Sequence, residues 1–588
     1  MKLPYLSELN TSREMVDVFG GYNHNLRIGD GEFYNMQNLT ADGYPTLSVR
    51  NRRAISDMKI EEFKYMLFKD GLYVTDEIDL LFNGTFVGGP QIDDIGDKDR
   101  VLLPFGSDII IFPEKLKYNT LTKETTYLEK TYDLNTMFRF EMCNIESTAY
   151  NYAASATAPA SPENGQYWLD TSSSPHSLKV YSTSTSAWTS VATAYVKISA
   201  TDIGNYFNVY DGVEISGCTA TGTAGLNGSA VVWAKGTDYI VVVGTILDAV
   251  SQEGGIKIER RVPDMDYVCV SENRVWGCKY GIVDGKTVNE LYACKLGDPT
   301  NWNCFMGTSE DSYAVSLGSD GEFTGATTYL GYPLFFKENC IHKVYGNYPA
   351  NYQVQTTNCR GVQKGSSKSI AMVDEVLYYK SAVDVCAYNG SLPATISGAL
   401  GNEKYTDAVA GSFGSKYYIS MKDTADEWHL FVYDTKRGMW HREDNTHVKG
   451  FCNIISGLLY VDDKDKLFSI TGNIEELNKF TSADAKRETS INWFAETGNI
   501  GYNNPDNKYI SKLNIRMSLA FGSTVDLYIQ YDSCGTWEHK WSMNGVGTKS
   551  FMIPIIPRRC DHLRLKLVGK GDCKIFSLAK VLESGSDM

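Results

Sequence analysis

Few side chains in this 588-residue sequence stand at spacings that catalysis demands. Asp532-Ser533-Cys534-Gly535-Thr536-Trp537 is near an Asp-box turn, but its Asp-to-Gly spacing is wrong and it occurs once, so an Asp-initiated turn before a strand tryptophan accounts for it. Glycoside cleavage needs two carboxylates held across a sugar, and an acidic sugar also needs an arginine cluster. The acidic candidates, Asp93-Asp94 and Asp462-Asp463-Asp465, sit in polar turns beside lysines and read as solvated loop charge. His441 and His447 flank Arg442-Glu443-Asp444. Six residues apart in a hairpin, they lack the geometry of a helix-borne metal pair, and surface or edge-strand histidines are expected.

Lys364-Gly365-Ser366-Ser367-Lys368-Ser369 lacks the leading glycine of a phosphate loop and reads as a turn, and no G-x-S-x-G elbow occurs. Among the thirteen cysteines the closest group is Cys269, Cys278, Cys294 and Cys304. Their spacing is too wide for zinc knuckles, and buried free thiols are expected. No catalytic residue, cofactor or metal is predicted. The side chains best suited to meet a ligand are Trp168, Trp188 and Trp233, which would stack on sugars if exposed. The cost of exposing tryptophan favours a place in the core of a small β module instead.

The composition says what must position these residues. With 12% aromatics, 38 Tyr, 10 Trp and 52 Gly, the sequence combines ring-bearing strands with glycine-punctuated turns, and the fold is read as all-β. A formal charge of −15 argues against gripping nucleic acid through counterion release. An acidic channel wall would still let a duplex pass without sticking. No apolar run reaches membrane-spanning length, and Met1-Lys2-Leu3-Pro4-Tyr5 lacks a signal-peptide core, so synthesis in a cytoplasm without membrane insertion is expected.

Residues 1–55, rich in Gly20-Gly21, Gly29, Gly31 and Gly43, read as an extended N-terminal arm ending in Arg50-Asn51-Arg52-Arg53. A repeat of apolar strand, turn and aromatic strand follows, clearest at Val376-Leu377-Tyr378-Tyr379, Lys416-Tyr417-Tyr418-Ile419 and Gly457-Leu458-Leu459-Tyr460. These starts lie roughly 40 residues apart, near the length of a four-stranded propeller blade. Looser copies at Gly71-Leu72-Tyr73-Val74, Ser107-Asp108-Ile109-Ile110-Ile111, Asn273-Arg274-Val275-Trp276 and Tyr332-Pro333-Leu334-Phe335-Phe336 bring the count to about seven units. The expected architecture is a β-propeller of about seven blades over 56–150 and 263–485, interrupted by inserted β modules at 151–262 and followed by a C-terminal β-sandwich at 486–588.

Three stretches carry a family resemblance. They are Asn35 to Arg53, with its Tyr44-Pro45-Thr46-Leu47 step; the series Arg274-Val275-Trp276-Gly277, Asp298-Pro299-Thr300-Asn301-Trp302, Gly331 to Glu338 and Ile341 to Gly346; and Tyr528 to Trp537. In this order they resemble the tail-hub or nozzle proteins of short-tailed bacteriophages, also described as packaged-DNA stabilisation proteins. The insertion departs from the simplest members. The resemblance implies a non-enzymatic structural virion protein, assembled in the host cytoplasm, forming a six-copy ring below the portal and adaptor. Propellers would form the tube wall, through which double-stranded DNA is conducted and retained without sequence-specific binding. The alternative is a tail-associated receptor- or carbohydrate-binding propeller protein. A propeller glycosidase lacks its carboxylate and arginine arrangement.

Overall fold

The computed structural model describes residues 10–87, 99–283, 285–481 and 483–584, and the Asp93-Asp94 pair lies outside them. The chain is all-β, and among the described residues its one α-helix is Ile474–Thr481. Each of the seven apolar segments marked by the repeat is the second strand of a separate antiparallel meander. These strands are Leu72–Thr75, Asp108–Phe112, Arg274–Val283, Tyr332–Lys337, Val376–Lys380, Lys416–Asp423 and Gly457–Asp462. In Leu72–Thr75 and Gly457–Asp462 every residue is buried. A strand covered on both faces has no wet side to mark with polar residues, hence the unbroken apolar runs. The turns entering three of them, Glu272-Asn273, Leu330-Gly331 and Asp374-Glu375, have positive φ at both positions, the type I′ twist of a two-residue hairpin.

The first strands of the meanders face one another. They are Tyr65–Phe68, Val101–Phe105, Tyr267–Ser271, Phe323–Tyr329, Ala371–Val373, Tyr405–Phe413 and Val448–Ile454. Neighbours in this order touch, the fourth and fifth through the turn Ser367–Ser369, and the seventh touches the first, so the series closes into a ring.

An N-terminal strand makes that closure. Ala54–Ser56 pairs with Leu467–Ser469 of the seventh sheet, and Ala485–Arg487 pairs along its other side. The described part of the expected arm is woven into its own chain rather than extended. Asn10–Val16 and Leu47–Val49 pair with the last strand, Cys573–Ser584. Gly21–Tyr22 joins Met439–Asp444 to Glu32–Gln37, which pairs in turn with Asn492–Thr497. A ten-stranded sheet therefore runs from the sixth meander into the C-terminal region, across the boundary expected near 485. In that region burial alternates: Leu513, Ile515 and Met517 on one sheet and Leu563, Leu565 and Leu567 on the other share one core, as strands wet on one face should.

The inserted module takes in more chain than 151–262. Lys130–Tyr132 pairs with Lys257–Arg260, and Met137–Cys143 pairs with Tyr195–Ser199, within one eight-stranded sheet. Tyr132, Phe138, Phe140 and Met142 are buried in its core, and in the sequence their alternation reads like any meander strand.

Arg50 and Arg53 fasten the N-terminal segment. Arg53 reaches Glu443 at 2.5 Å and Asp444 at 2.7 Å, while Arg50 reaches Glu488 at 2.7 Å. Burial opposes ionisation of Asp444, but Arg53, Thr446 and Arg50 outweigh it and hold its carboxyl below the usual range. Replacing Arg53 by Ala leaves Glu443 and Asp444 buried without it and should cost about 3–5 kcal/mol, read as a lower urea midpoint. Arg52→Ala, which breaks the exposed pair with Asp572 at 2.8 Å, should cost under about 1 kcal/mol.

Candidate functional site

Six of the seven first strands, together with the turn before the fifth, line a cavity of about 1110 Å³. Its wall mixes apolar and polar surface, with Met66, Leu103, Met265, Val268, Ala326 and Phe451 among the apolar lining residues. Charge gathers at or just before the strand starts, at Lys64, Asp99, Asp266, Glu322, Lys368 and Lys449. Every described carboxylate lining the cavity is held by a lysine. Lys368 meets Asp99 at 2.7 Å, Lys115 meets Asp264 at 2.8 Å, Lys279 meets Asp266 at 2.7 Å and Lys364 meets Glu322 at 2.5 Å. The Lys368–Asp99 pair joins the fifth sheet to the second, three steps away in a ring of seven, and so spans the opening rather than following its wall. Burial pulls the Lys115 ammonium down, but hydrogen bonds to Asp264 and Glu129 more than compensate and leave it raised.

Burial raises Asp76, outside the cavity lining, but its oxygens accept the backbone N–H groups of Asp79 at 2.9 Å and Glu61 at 3.5 Å and so fix a loop. Asp462 likewise accepts the N–H groups of Lys464 and Lys466, and Asp465 pairs with Lys449 at 2.7 Å. The 364–369 segment is the turn before the fifth sheet, and Ser367 and Lys368 line the cavity.

The structure separates the three tryptophans. Trp168 is buried, its indole N–H shared between the Ser155 carbonyl and hydroxyl at 3.0 Å, and Trp188 packs edge-on against it with centroids 5.3 Å apart. Both lie in the four-stranded sheet between Tyr152 and Ser190. Trp233 belongs to the eight-stranded sheet, between Tyr195 and Tyr210. Cys269, Cys278, Cys294 and Cys304 are buried free thiols, and burial raises Cys304 to about 11.

His441 departs from the expected surface position. It is 3% exposed, its Nε2 has no hydrogen-bond partner, and burial pushes its pKa down to about 4. The cause is the N-terminal strand laid over it: a β-carbon at Gly21 would come within 3.4 Å of His441 Nε2. His447 is half-buried and stacks on Trp428 at 3.7 Å.

Two arrangements escaped the sequence reading. Cys340 Sγ lies 3.4 Å from His342 Nε2, and His342 Nδ1 lies 2.9 Å from the Thr356 hydroxyl, in the order of nucleophile, base and orienting group. Burial raises the thiol and lowers His342 to about 4, the Ser319 hydroxyl lies nearer to the same Nε2 at 3.0 Å, and the trio sits beside buried Lys337. Its signal was the Cys-x-His spacing, which puts both side chains on one strand face. Asp423, Glu427 and His429 cluster at a hairpin end, where Asp423 accepts the N–H groups of Ala425 and Glu427 and meets His429 at 2.8 Å.

No family model matches the sequence, and no curated protein matches it. Among solved structures, the chain is similar to a sialidase of Trypanosoma rangeli in complex with sialic acid, at 10% identity and a TM-score of 0.22, over 73% of this chain and 96% of that one. An engineered GH43 glycoside hydrolase matches at 7% identity and a TM-score of 0.20, over 54% and 97%. The extracellular domain of a putative hybrid two-component system of B. thetaiotaomicron matches at 9% identity and a TM-score of 0.16, over 92% and 98%. Likeness this slight carries no functional argument.

The two buried histidines define a pH response. Their folded values near 4 lie below the ordinary 6.5, so as pH falls the unfolded chain takes up protons first. The stability they support is intact above 6.5 and lost progressively towards 4. Urea midpoints measured across that window should fall with pH, and His441→Phe should make the fall shallower.

Proposed function

We propose that this chain is a non-enzymatic structural protein of a short bacteriophage tail. In this reading the seven meanders are blades of one propeller, the module from about residue 130 is an insertion, and the two terminal sheets are a β-sandwich. Six copies form a closed nozzle or hub ring beneath the portal and adaptor, conducting and retaining double-stranded DNA. The observation that carries it is the central cavity. Its carboxylates are tied to lysines and, among the described residues, no arginine or histidine lines it, so the place where the strands converge holds packing charge rather than a reaction centre.

The residues behind the family resemblance support the same reading, because they build architecture. Buried Arg274 donates to the carbonyls of Cys294, Asp311 and Ser309, and the Trp302 indole donates to the Pro299 carbonyl. A net charge of −15 suits a ring that lets a duplex slide.

A second reading, binding of a host-surface carbohydrate by the insertion, is favoured by one observation: Trp188 is only half-buried and lies beside Tyr181 and Trp168. Electron cryo-microscopy of the protein and of tail complexes separates the two. A closed ring on the tail axis, with a channel of about 20 Å or more, is expected of the nozzle. A peripheral position with Trp188 outward, and glycan binding lost in Trp188→Ala, would overturn it in favour of the receptor binder.

A further inference from the structure

We infer that the two free edges of one C-terminal sheet join successive copies of this chain into a continuous intersubunit sheet. The inference rests on the ring proposed above and names the surface that forms it. The sheet built on Cys573–Ser584 and Lys508–Leu519 has Gly547–Ile553 at one edge, and its other side carries Asn10–Val16, also seven residues long, next to Leu47–Val49 and Leu39–Thr40. Among the described residues, Gly547–Ile553 pairs only with Lys508–Leu519, and Asn10–Val16 only with Cys573–Ser584. Each edge therefore leaves a row of outward backbone donors and acceptors, which isolated proteins normally cover or blunt. Exposed apolar side chains flank both rows: Met552 and Ile556 are 75% and 85% exposed, and Met15 is 62% exposed.

Strand direction selects the partner. Gly547–Ile553 runs against Lys508–Leu519, which runs against Cys573–Ser584, which runs against Asn10–Val16. The two edges consequently have opposite senses within one copy. A second copy placed alongside in the same orientation brings them together antiparallel, the heterologous contact from which closed rings are made.

Side chains agree with this pairing. Full overlap sets Gly547 opposite Val16, Ile553 opposite Asn10 and Lys549 opposite Glu14. Lys549 and Glu14 stand on the same face, since their cross-strand neighbours within one copy are the buried Met517 and Lys580. Lys549 enters no ion pair among the described residues, whereas Glu14 already meets Lys580 at 3.0 Å. The joined sheet would set Glu14 between two lysines, and opposite charges in directly opposed positions stabilise the strand pair.

The register places Thr548 opposite Met15 on the other, exposed face, where cysteines meet at disulfide distance without disturbing either core. The full-length double variant Met15→Cys/Thr548→Cys, oxidised under mild conditions, should give a ladder of covalent multimers absent from the parent, which itself exposes Cys534. Mixing the two single variants should stop the ladder at dimers. If the parent assembles by sedimentation but the double variant yields no ladder, the edge pairing is wrong while the ring stands. If Ser550→Cys alone cross-links, two Gly547–Ile553 strands meet about a two-fold axis and the heterologous contact is overturned. A parent that stays monomeric overturns the ring proposal and this inference together.

Discussion

Arg53 is 3% exposed on its side chain, and a guanidinium cannot shed its proton, so the fold has to bring carboxylates to it. Glu443 and Asp444 come from the sixth meander, and Glu488, which accepts the Arg53 backbone N–H at 2.8 Å, comes from the segment after the seventh. Arg50 adds a second cation to Glu488 and donates to Asn38, whose own backbone N–H reaches the Glu443 carbonyl at 2.7 Å. The N-terminal segment is thereby fixed at one point to two stretches that lie some 390 or more residues further along the chain. Ala54–Ser56, next along the chain, can then lie as a strand of the seventh sheet and close the ring. The first and seventh sheets also share an apolar core in which Met66, Leu72 and Val74 pack with Ile454, Leu459 and Val461.

Closure in turn explains the charge within the cavity. Seven first strands brought face to face leave a space too wide for side chains to fill, and the residues at the strand starts must remain soluble yet mutually compatible. Each described lining carboxylate is paired with a lysine, and Asp99, Asp264 and Glu322 keep more than half of their side-chain surface in water.

The terminal sheets work differently. Their strands are wet on one face, their cores are filled by alternating Leu and Ile, and their N-terminal strand comes from the far end of the chain. Building a sheet from both ends of a sequence ties the termini together but leaves an edge on each side. The meanders differ in that second strands such as Leu72–Thr75 and Gly457–Asp462 are buried throughout.

Much of this was legible in the sequence. The all-β class follows from aromatic strands and glycine turns, and the seven second strands showed themselves because burial on both faces demands uninterrupted apolar runs. The terminal strands showed themselves by alternation. The tryptophans of the insertion were read as core, and Trp168 is core because its indole N–H found Ser155. What stayed hidden depends on contacts between distant segments. Arg50-Asn51-Arg52-Arg53 reads as the end of an arm, with nothing local to name the carboxylates that arrive from residues 443, 444 and 488. His441 looks like a surface histidine until Gly21 is laid over it. Lys130–Tyr132 looks like a meander strand until it pairs with Lys257–Arg260. Local pattern reports how many faces of a strand are buried, and so the sequence alone determined class and repeat. Only tertiary structure decided which segment does the burying, because long-range pairing leaves no periodic trace in the chain.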